Sequence, residues 1–285
     1  MTNEQDTVAE LSAGVPTQPA PTNPLLARIQ MPGETFKLPS GGLFYTNGEL
    51  ADHVKDAEVQ VHPMTVLDEI MIKTPDMLFS GKAVQEVFGR CIQDVIKPNQ
   101  LLAKDVDFLL LCLRKVSYGD TLEMEDVHYN CPAKKEKEEE PEAHTYPIDI
   151  NTFIKNSKLM DPTTTKQYFF VELPNQQKVN ITPIRFEDFV TLMQVQDDDV
   201  KTPEEQVFEL TKTLGNIIVN VDETTDKKLI VEWLRKLKPE YLRILHARLE
   251  DTVQWGPDFK YTYNCKDCGQ AREVVAPMNP LAFFT

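Results

Sequence analysis

The sequence predicts a mainly helical α+β protein made of two related helical units, each carrying a β-hairpin. Three observations carry this. Apolar residues recur at helical spacing over long stretches, as in Val84, Val87, Phe88, Cys91, Ile92 and Val95. Apolar–polar alternation follows each of two aromatic–glycine pairs, Tyr118-Gly119 and Trp255-Gly256. Landmarks also recur in the same order at a nearly constant offset, which is the mark of an internal duplication.

Residues 1–35 come first. Pro16, Pro19, Pro21, Pro24 and Pro32 punctuate them and apolar periodicity is nearly absent. Proline fixes φ and removes a backbone donor, so this stretch reads as a flexible arm: either a plain tail or a segment ordered by a partner. The first unit is expected over residues 36–155 and the second over 156–285. Leu38-Pro39-Ser40 opens one and Leu173-Pro174-Asn175 the other, 135 positions later. Val61-His62-Pro63-Met64 with Asp68 is echoed by Ile181-Thr182-Pro183-Ile184 with Asp188. Tyr129-Asn130-Cys131 is echoed by Tyr263-Asn264-Cys265, 134 positions on. The inner spacings drift because the first copy carries an insertion around Gly41–Asp56.

Within each unit a short strand leads to Pro63 or Pro183 and a helix follows. The apolar residues of that helix are Val66, Leu67, Ile70 and Met71, or Phe186, Phe189, Val190 and Met193. The first unit then has one helix over Val84–Val95 and a more fully buried one over Leu101–Val116. In the second, Thr202-Pro203-Glu204-Glu205 is a capping box with proline at the first helical position. Its stripe runs from Val207 to Val221; Leu229–Leu237 forms another helix, and Pro239 opens a third with Leu242, Leu245 and Leu249. Phe259, Tyr261 and Tyr263 alternate with polar residues as a half-buried strand does.

The cysteines concentrate the chemistry. Cys265-Lys266-Asp267-Cys268-Gly269 is a zinc knuckle in form: two thiolates at this spacing reach one ion, and glycine lets the turn fold around it. Such a knuckle supplies two of four ligands. Lys134 stands where a second cysteine would follow Cys131, and His128 or His144 could supply an imidazole nitrogen instead. The expected site is Cys265, Cys268, Cys131 and a histidine, with His144 on the return strand as the assigned fourth ligand and one structural Zn2+ as the cofactor. It requires the two hairpins to meet. A knuckle without metal and a redox pair are the other readings, the last disfavoured because no helix starts at the pair. Cys91 and Cys112 lie on apolar faces and read as core. His53, His62 and His246 are scattered and ordinary. Residues 134–142 are a run of lysines and glutamates and read as a solvated loop. Asp197-Asp198-Asp199 lacks the glycine and distal glutamate of a calcium loop and reads as charge ahead of a capped helix.

Composition excludes several classes. Lys plus Arg is 30 and Asp plus Glu 45, for a formal net charge of −15, which argues against nucleic acid and anionic lipid as partners. Hydrophobic residues are 41% and charged residues 26%, a globular balance. The longest uncharged apolar run, Phe108–Leu113, is too short to span a membrane, and no basic region followed by an apolar run opens the chain. Five cysteines without a secretory signal suit reduced thiols or a metal, and synthesis in the cytoplasm. Phosphate loops, GxSxG, HExxH and dinucleotide fingerprints are absent, so no catalytic residue and no small-molecule substrate are assigned. The rival readings are a small zinc-dependent enzyme and a zinc-ribbon binding module. The stretch Pro277–Thr285 carries Met278, Leu281, Phe283 and Phe284; it reads as extended, packing back on its own unit or inserting into a partner.

One further set of residues points to a family. Leu38-Pro39-Ser40-Gly41-Gly42-Leu43-Phe44-Tyr45 comes first, then Val61-His62-Pro63-Met64-Thr65 with Asp68-Glu69, then Leu113-Arg114 with Ser117-Tyr118-Gly119. Asn130-Cys131-Pro132 follows, and the terminal Cys-x-x-Cys hairpin runs into Pro277-Met278-Asn279-Pro280-Leu281 and Phe283-Phe284. Over residues 36–285 this order resembles the baseplate hub proteins of T-even-type contractile-tailed phages. The resemblance implies a non-enzymatic part or assembly factor of the tail baseplate, made late in infection in the host cytoplasm, with other phage tail and baseplate proteins as partners and the virion as destination. The missing second cysteine after Cys131 departs from a paired-knuckle pattern.

Overall fold

The computed structural model describes residues 32–136, 140–161, 168–197, 202–251 and 254–276. The proline-rich arm up to residue 31, Asp198 and Asp199, and the tail from residue 277 lie outside them. From Gly33 onward the chain clusters as one unit.

Strand β1 (Glu34–Lys37) pairs antiparallel with β2 (Glu58–Val61), with Phe36 opposite Val59. Helices α1 (Val66–Ile72), α2 (Pro75–Phe79) and α3 (Lys82–Cys91) follow, then a 3-10 turn at Pro98–Gln100 and the long helix α4 (Ala103–Tyr118). Gly119 ends α4 at φ 91°, a conformation glycine adopts without strain. The chain then forms the hairpin of β3 (Thr121–Val127) and β4 (Ala143–Asp149), with a short α5 (Pro132–Glu136) after β3, and α6 (Ile150–Lys155) after β4.

The later half opens with β5 (Phe169–Glu172) and β6 (Lys178–Ile181), then α7 (Phe186–Asp197) and α8 (Pro203–Ile217). Strand β7 (Ile218–Val221) adds to β6, giving the sheet order β5-β6-β7. Helices α9 (Lys227–Lys236) and α10 (Pro239–Asp251) follow, Gly256 again takes a positive φ of 87°, and β8 (Lys260–Asn264) pairs with β9 (Ala271–Val275). The fold is thus mixed α/β, with helices dominating and small sheets.

The main core is built by β1, β2, α3 and α4 around Phe88, Leu109 and Leu113. It also takes in Phe186 from α7 and Ala276 after β9, with Phe259 and Tyr261 packed against it. A second core lies between the β5-β6-β7 sheet and α9 and α10, around Val179, Ile230, Leu234 and Leu245. Leu102, Phe44, Met160 and Trp255 form a third, smaller cluster. Cys91 and Cys112 are buried as the sequence predicts, and burial pushes the Cys91 thiol up to about 12 and the Cys112 thiol up as well. Among the described residues no helix is long and apolar enough to cross a membrane.

Four local expectations are corrected. The α3 helix stops at Cys91; Ile92 leaves helical geometry at φ −133°, and Ile92 and Val95 reach the core from a turn. The helix after Thr202 ends at Ile217, because the β-branched residues Ile218, Val219 and Val221 that follow complete a sheet edge as β7. On α1 most of the expected apolar stripe faces outward: Val66, Leu67 and Ile70 are exposed, whereas Met71 packs against the core and Ile72 is buried. Asp68 on the same helix is buried, accepting from Thr65 and from Arg90 Nε at 2.5 Å. Residues 134–142 are not wholly loop: α5 runs to Glu136, and Lys134 Nζ bonds Glu142 at 3.1 Å.

Candidate metal centre

The two hairpins meet at their tips. In the first, β3 ends at Val127 and a tight turn follows, in which the Cys131 N–H donates to the His128 carbonyl at 3.0 Å. In the second, the Gly269 N–H donates to the Cys265 carbonyl at 2.8 Å and the Cys265 N–H to the Gln270 carbonyl at 2.9 Å. Gly269 sits at φ 71°, the backbone form this turn requires. Each turn throws two side chains, three residues apart, to the same side. The donor atoms of His128, Cys131, Cys265 and Cys268 all lie within 4.8 Å of one another. Cys268 Sγ is 3.6 Å from His128 Nδ1. Around a tetrahedral Zn2+ with bonds of about 2.0–2.3 Å, donor atoms stand about 3.4–3.8 Å apart, so this edge already has the right length. Cys131 and Cys265 are buried, and the other two donors half-buried.

The electrostatics suit a cation. Burial pushes the Cys265 thiol up, but backbone N–H groups of Cys268 and Asp267 and the His128 side chain outweigh it and bring it to about 6. Cys268 moves the other way: the Gln270 N–H pulls it down, and burial with Cys265 and Cys131 alongside pushes it up further. One thiolate, at Cys265, forms readily and Cys268 beside it resists a second negative charge, which a divalent ion between them would relieve.

A second layer locks the tips together. His144 Nε2 and Asp267 Oδ2 are 2.8 Å apart. The Lys266 N–H donates to the Tyr146 hydroxyl at 3.3 Å and its ammonium to the Thr145 carbonyl at 2.7 Å. Tyr146 and Tyr263 pack with ring centroids 3.8 Å apart. Arg272 Nη1 donates to Asp126 Oδ2 at 2.9 Å, and the Tyr263 hydroxyl donates to the same carboxylate. No strand pairing joins the two sheets among the described residues, so these side chains carry the contact.

Three of the four expected residues, Cys131, Cys265 and Cys268, are thus brought together, and the histidine that stands with them is His128, the other histidine the sequence offers. His144 stands one layer out, on Asp267. The signal for His128 was present: His128-x2-Cys131 has the same spacing as Cys265-x2-Cys268. The echo of Tyr-Asn-Cys misplaced the register. It matched Cys131 to Cys265, whereas Cys131 occupies the second position of its knuckle, as Cys268 does.

With this geometry established, comparison with known proteins identifies the chain. Residues 31–285 match the family described as T4 bacteriophage base plate protein, and the chain belongs to that family. It is a protein of the phage tail baseplate. No curated protein and no solved structure matches it.

Proposed function

We propose that the protein is a non-enzymatic part, or assembly factor, of the baseplate hub, and that it works by binding other tail proteins with a structural Zn2+ as the tie between its hairpins. The family match over residues 31–285 supports a baseplate role. The convergence of two donors from each hairpin supports the zinc tie. His128, Cys131, Cys265 and Cys268 would hold the ion, and His144 would orient the tip through Asp267. Four protein donors fill a tetrahedral shell and leave no place for a zinc-bound water, which disfavours the enzyme reading. The negative formal charge supports protein partners over nucleic acid.

Metal analysis of protein purified under reducing, chelator-free conditions tests the tie. About one zinc per chain is expected. Cys265→Ser and His128→Ala should each lose most of it, whereas His144→Ala should keep it. Retained zinc in the first two, or its loss in the third alone, overturns this ligand set. Co-purification with the other tail proteins of the same phage tests the assembly role.

Residues 36–155 and 156–285 also read as two copies of one unit. The His62 N–H donates to the Cys91 carbonyl at the end of α3 and the Thr182 N–H to the Ile217 carbonyl at the end of α8, each from the exit of a strand. Asp68 bonds Arg90 and Asp188 bonds Asn216, again one residue before those same ends. An experimental structure in which residues 58–119 and 178–256 do not superpose in the same order would remove this reading.

A further inference from the structure

The five cysteines differ in reach. Cys91 and Cys112 are buried inside the main core, and Cys131 and Cys265 are buried at the hairpin tips. Cys268 is half-buried, so it is the sulfur that a small solute can approach from water. Its Sγ is 3.6 Å from His128 Nδ1 and within 4.8 Å of the sulfurs of both Cys131 and Cys265.

Cys265 and Cys268 share one turn, closed by the Gly269 N–H on the Cys265 carbonyl at 2.8 Å. The first and fourth Cα atoms of a turn stand less than about 7 Å apart, and a disulfide accepts about 4.4–6.8 Å. Cys131 comes from the other hairpin, and among the described residues no strand pairing joins that hairpin to this turn. The turn therefore keeps Cys265 within reach of Cys268 whether or not the tips touch, which is not so for Cys131.

We propose that the Cys265–Cys268 pair is a site of reversible oxidation by hydroperoxides, with Cys268 the sulfur that reacts first and loss of zinc the consequence. The inference rests on the four-donor zinc reading of the site. Sulfurs that ligate zinc are thiolates. The Cys268 thiolate attacks one oxygen of the hydroperoxide: an S–O bond forms, the O–O bond breaks, and the other oxygen leaves as hydroxide or alkoxide. Cys268 is then a sulfenic acid. The Cys265 thiolate attacks its sulfur: the S–S bond forms, the S–O bond breaks, and hydroxide leaves. Two electrons pass from the two thiolates to one hydroperoxide. His128 and Cys131 are then the donors that remain, two of the four a tetrahedral shell needs. The turn stays docked, because Lys266 still bonds Tyr146 and Thr145, and Asp267 still faces His144, through contacts that use no sulfur. A dithiol reductant can therefore restore the donors in place.

The test treats the full-length, zinc-loaded chain with hydrogen peroxide, follows released zinc with a chromogenic chelator, and maps the cysteines by mass spectrometry. About one zinc per chain should be released, together with one disulfide, between Cys265 and Cys268. Cys91 and Cys112 should stay free thiols and so serve as the internal reference. Reduction with added zinc should restore the bound metal. Cys131→Ser removes a donor but not the pair, so it should give the same disulfide even without metal. Zinc that stays bound in excess peroxide, a disulfide to Cys131 in its place, or a loss that reduction does not reverse overturns the proposal. A wild-type chain that never held zinc fails the reading of the site; a chain that holds zinc and keeps it under peroxide fails this inference alone.

Discussion

Asp105 is fully buried in the first turn of α4, and its carboxylate holds a loop far away in sequence. It accepts from the Ser40 N–H at 3.1 Å and from the Tyr45 hydroxyl at 2.6 Å, whose oxygen in turn accepts from the Leu102 N–H at 2.9 Å. Burial outweighs these bonds and pushes the carboxyl up to about 6. A raised acid binds its proton more tightly folded than unfolded, so it favours folding most when protonated. Stability should therefore increase as pH falls from 7 towards 5. Asp68 works in the opposite sense. Burial raises it, but Thr65 and Arg90 together hold it below the usual carboxylate range, so its contribution is present at neutral pH and lost in stronger acid. Thermal midpoints measured from pH 4 to 7 should rise on mild acidification, and Asp105→Asn should flatten that slope. An unchanged slope in the variant would assign it to other groups. The Ser40 and Tyr45 partners lie in the stretch that carries the family resemblance, but nothing local to Asp105 marks it as their anchor. The pairing spans about sixty residues and depends on how α4 is placed.

Helix α8 shows which part of an element local sequence determines. Its start was legible in Thr202 and Glu205: the Glu205 N–H donates to Thr202 Oγ1 at 3.3 Å, and Glu205 Oε2 accepts from the Thr202 N–H at 2.9 Å. Thr202→Ala should cost about 1 kcal/mol in denaturant unfolding, the usual worth of an N-cap. A loss of only a tenth or two would mean that packing alone sets the helix start. Its end was not legible, because Ile218 and Val221 fit a helical stripe as well as they fit β7. Only the open edge of β6 decides between the two. The same limit explains α1, where periodicity located an apolar face but could not say whether it turns inward. The knuckles lie between these cases: two donors three residues apart are a local signal, whereas the meeting of two such turns is tertiary.

At the scale of the molecule the halves share a core. Phe186, Ala276 and Phe259 reach into the cluster built around Phe88 and α4. Unfolding should therefore be a single transition, with far-ultraviolet circular dichroism and the fluorescence of Trp233 and Trp255 changing together. Phe88→Ala creates a cavity among fully buried side chains and should cost about 3–5 kcal/mol. It should shift both signals equally, although both tryptophans lie in the later half. A fluorescence transition that stays in place would show that the later half folds by itself. The mixed helical fold with small sheets was readable from periodicity, and the two hairpins from alternation. The shared core was not, since composition does not distinguish neighbours that merge from neighbours that only touch.

The order of the ligands along the chain sets a schedule for synthesis. His128 and Cys131 emerge from the ribosome 137 positions ahead of Cys265 and Cys268. At about 5–20 residues per second the first pair waits roughly seven to thirty seconds for its partners. Until then the nascent chain holds only two of the four donors. Closure of the tips is therefore among the last steps of folding, and a message cut short before Cys265 yields a chain that can never seal them.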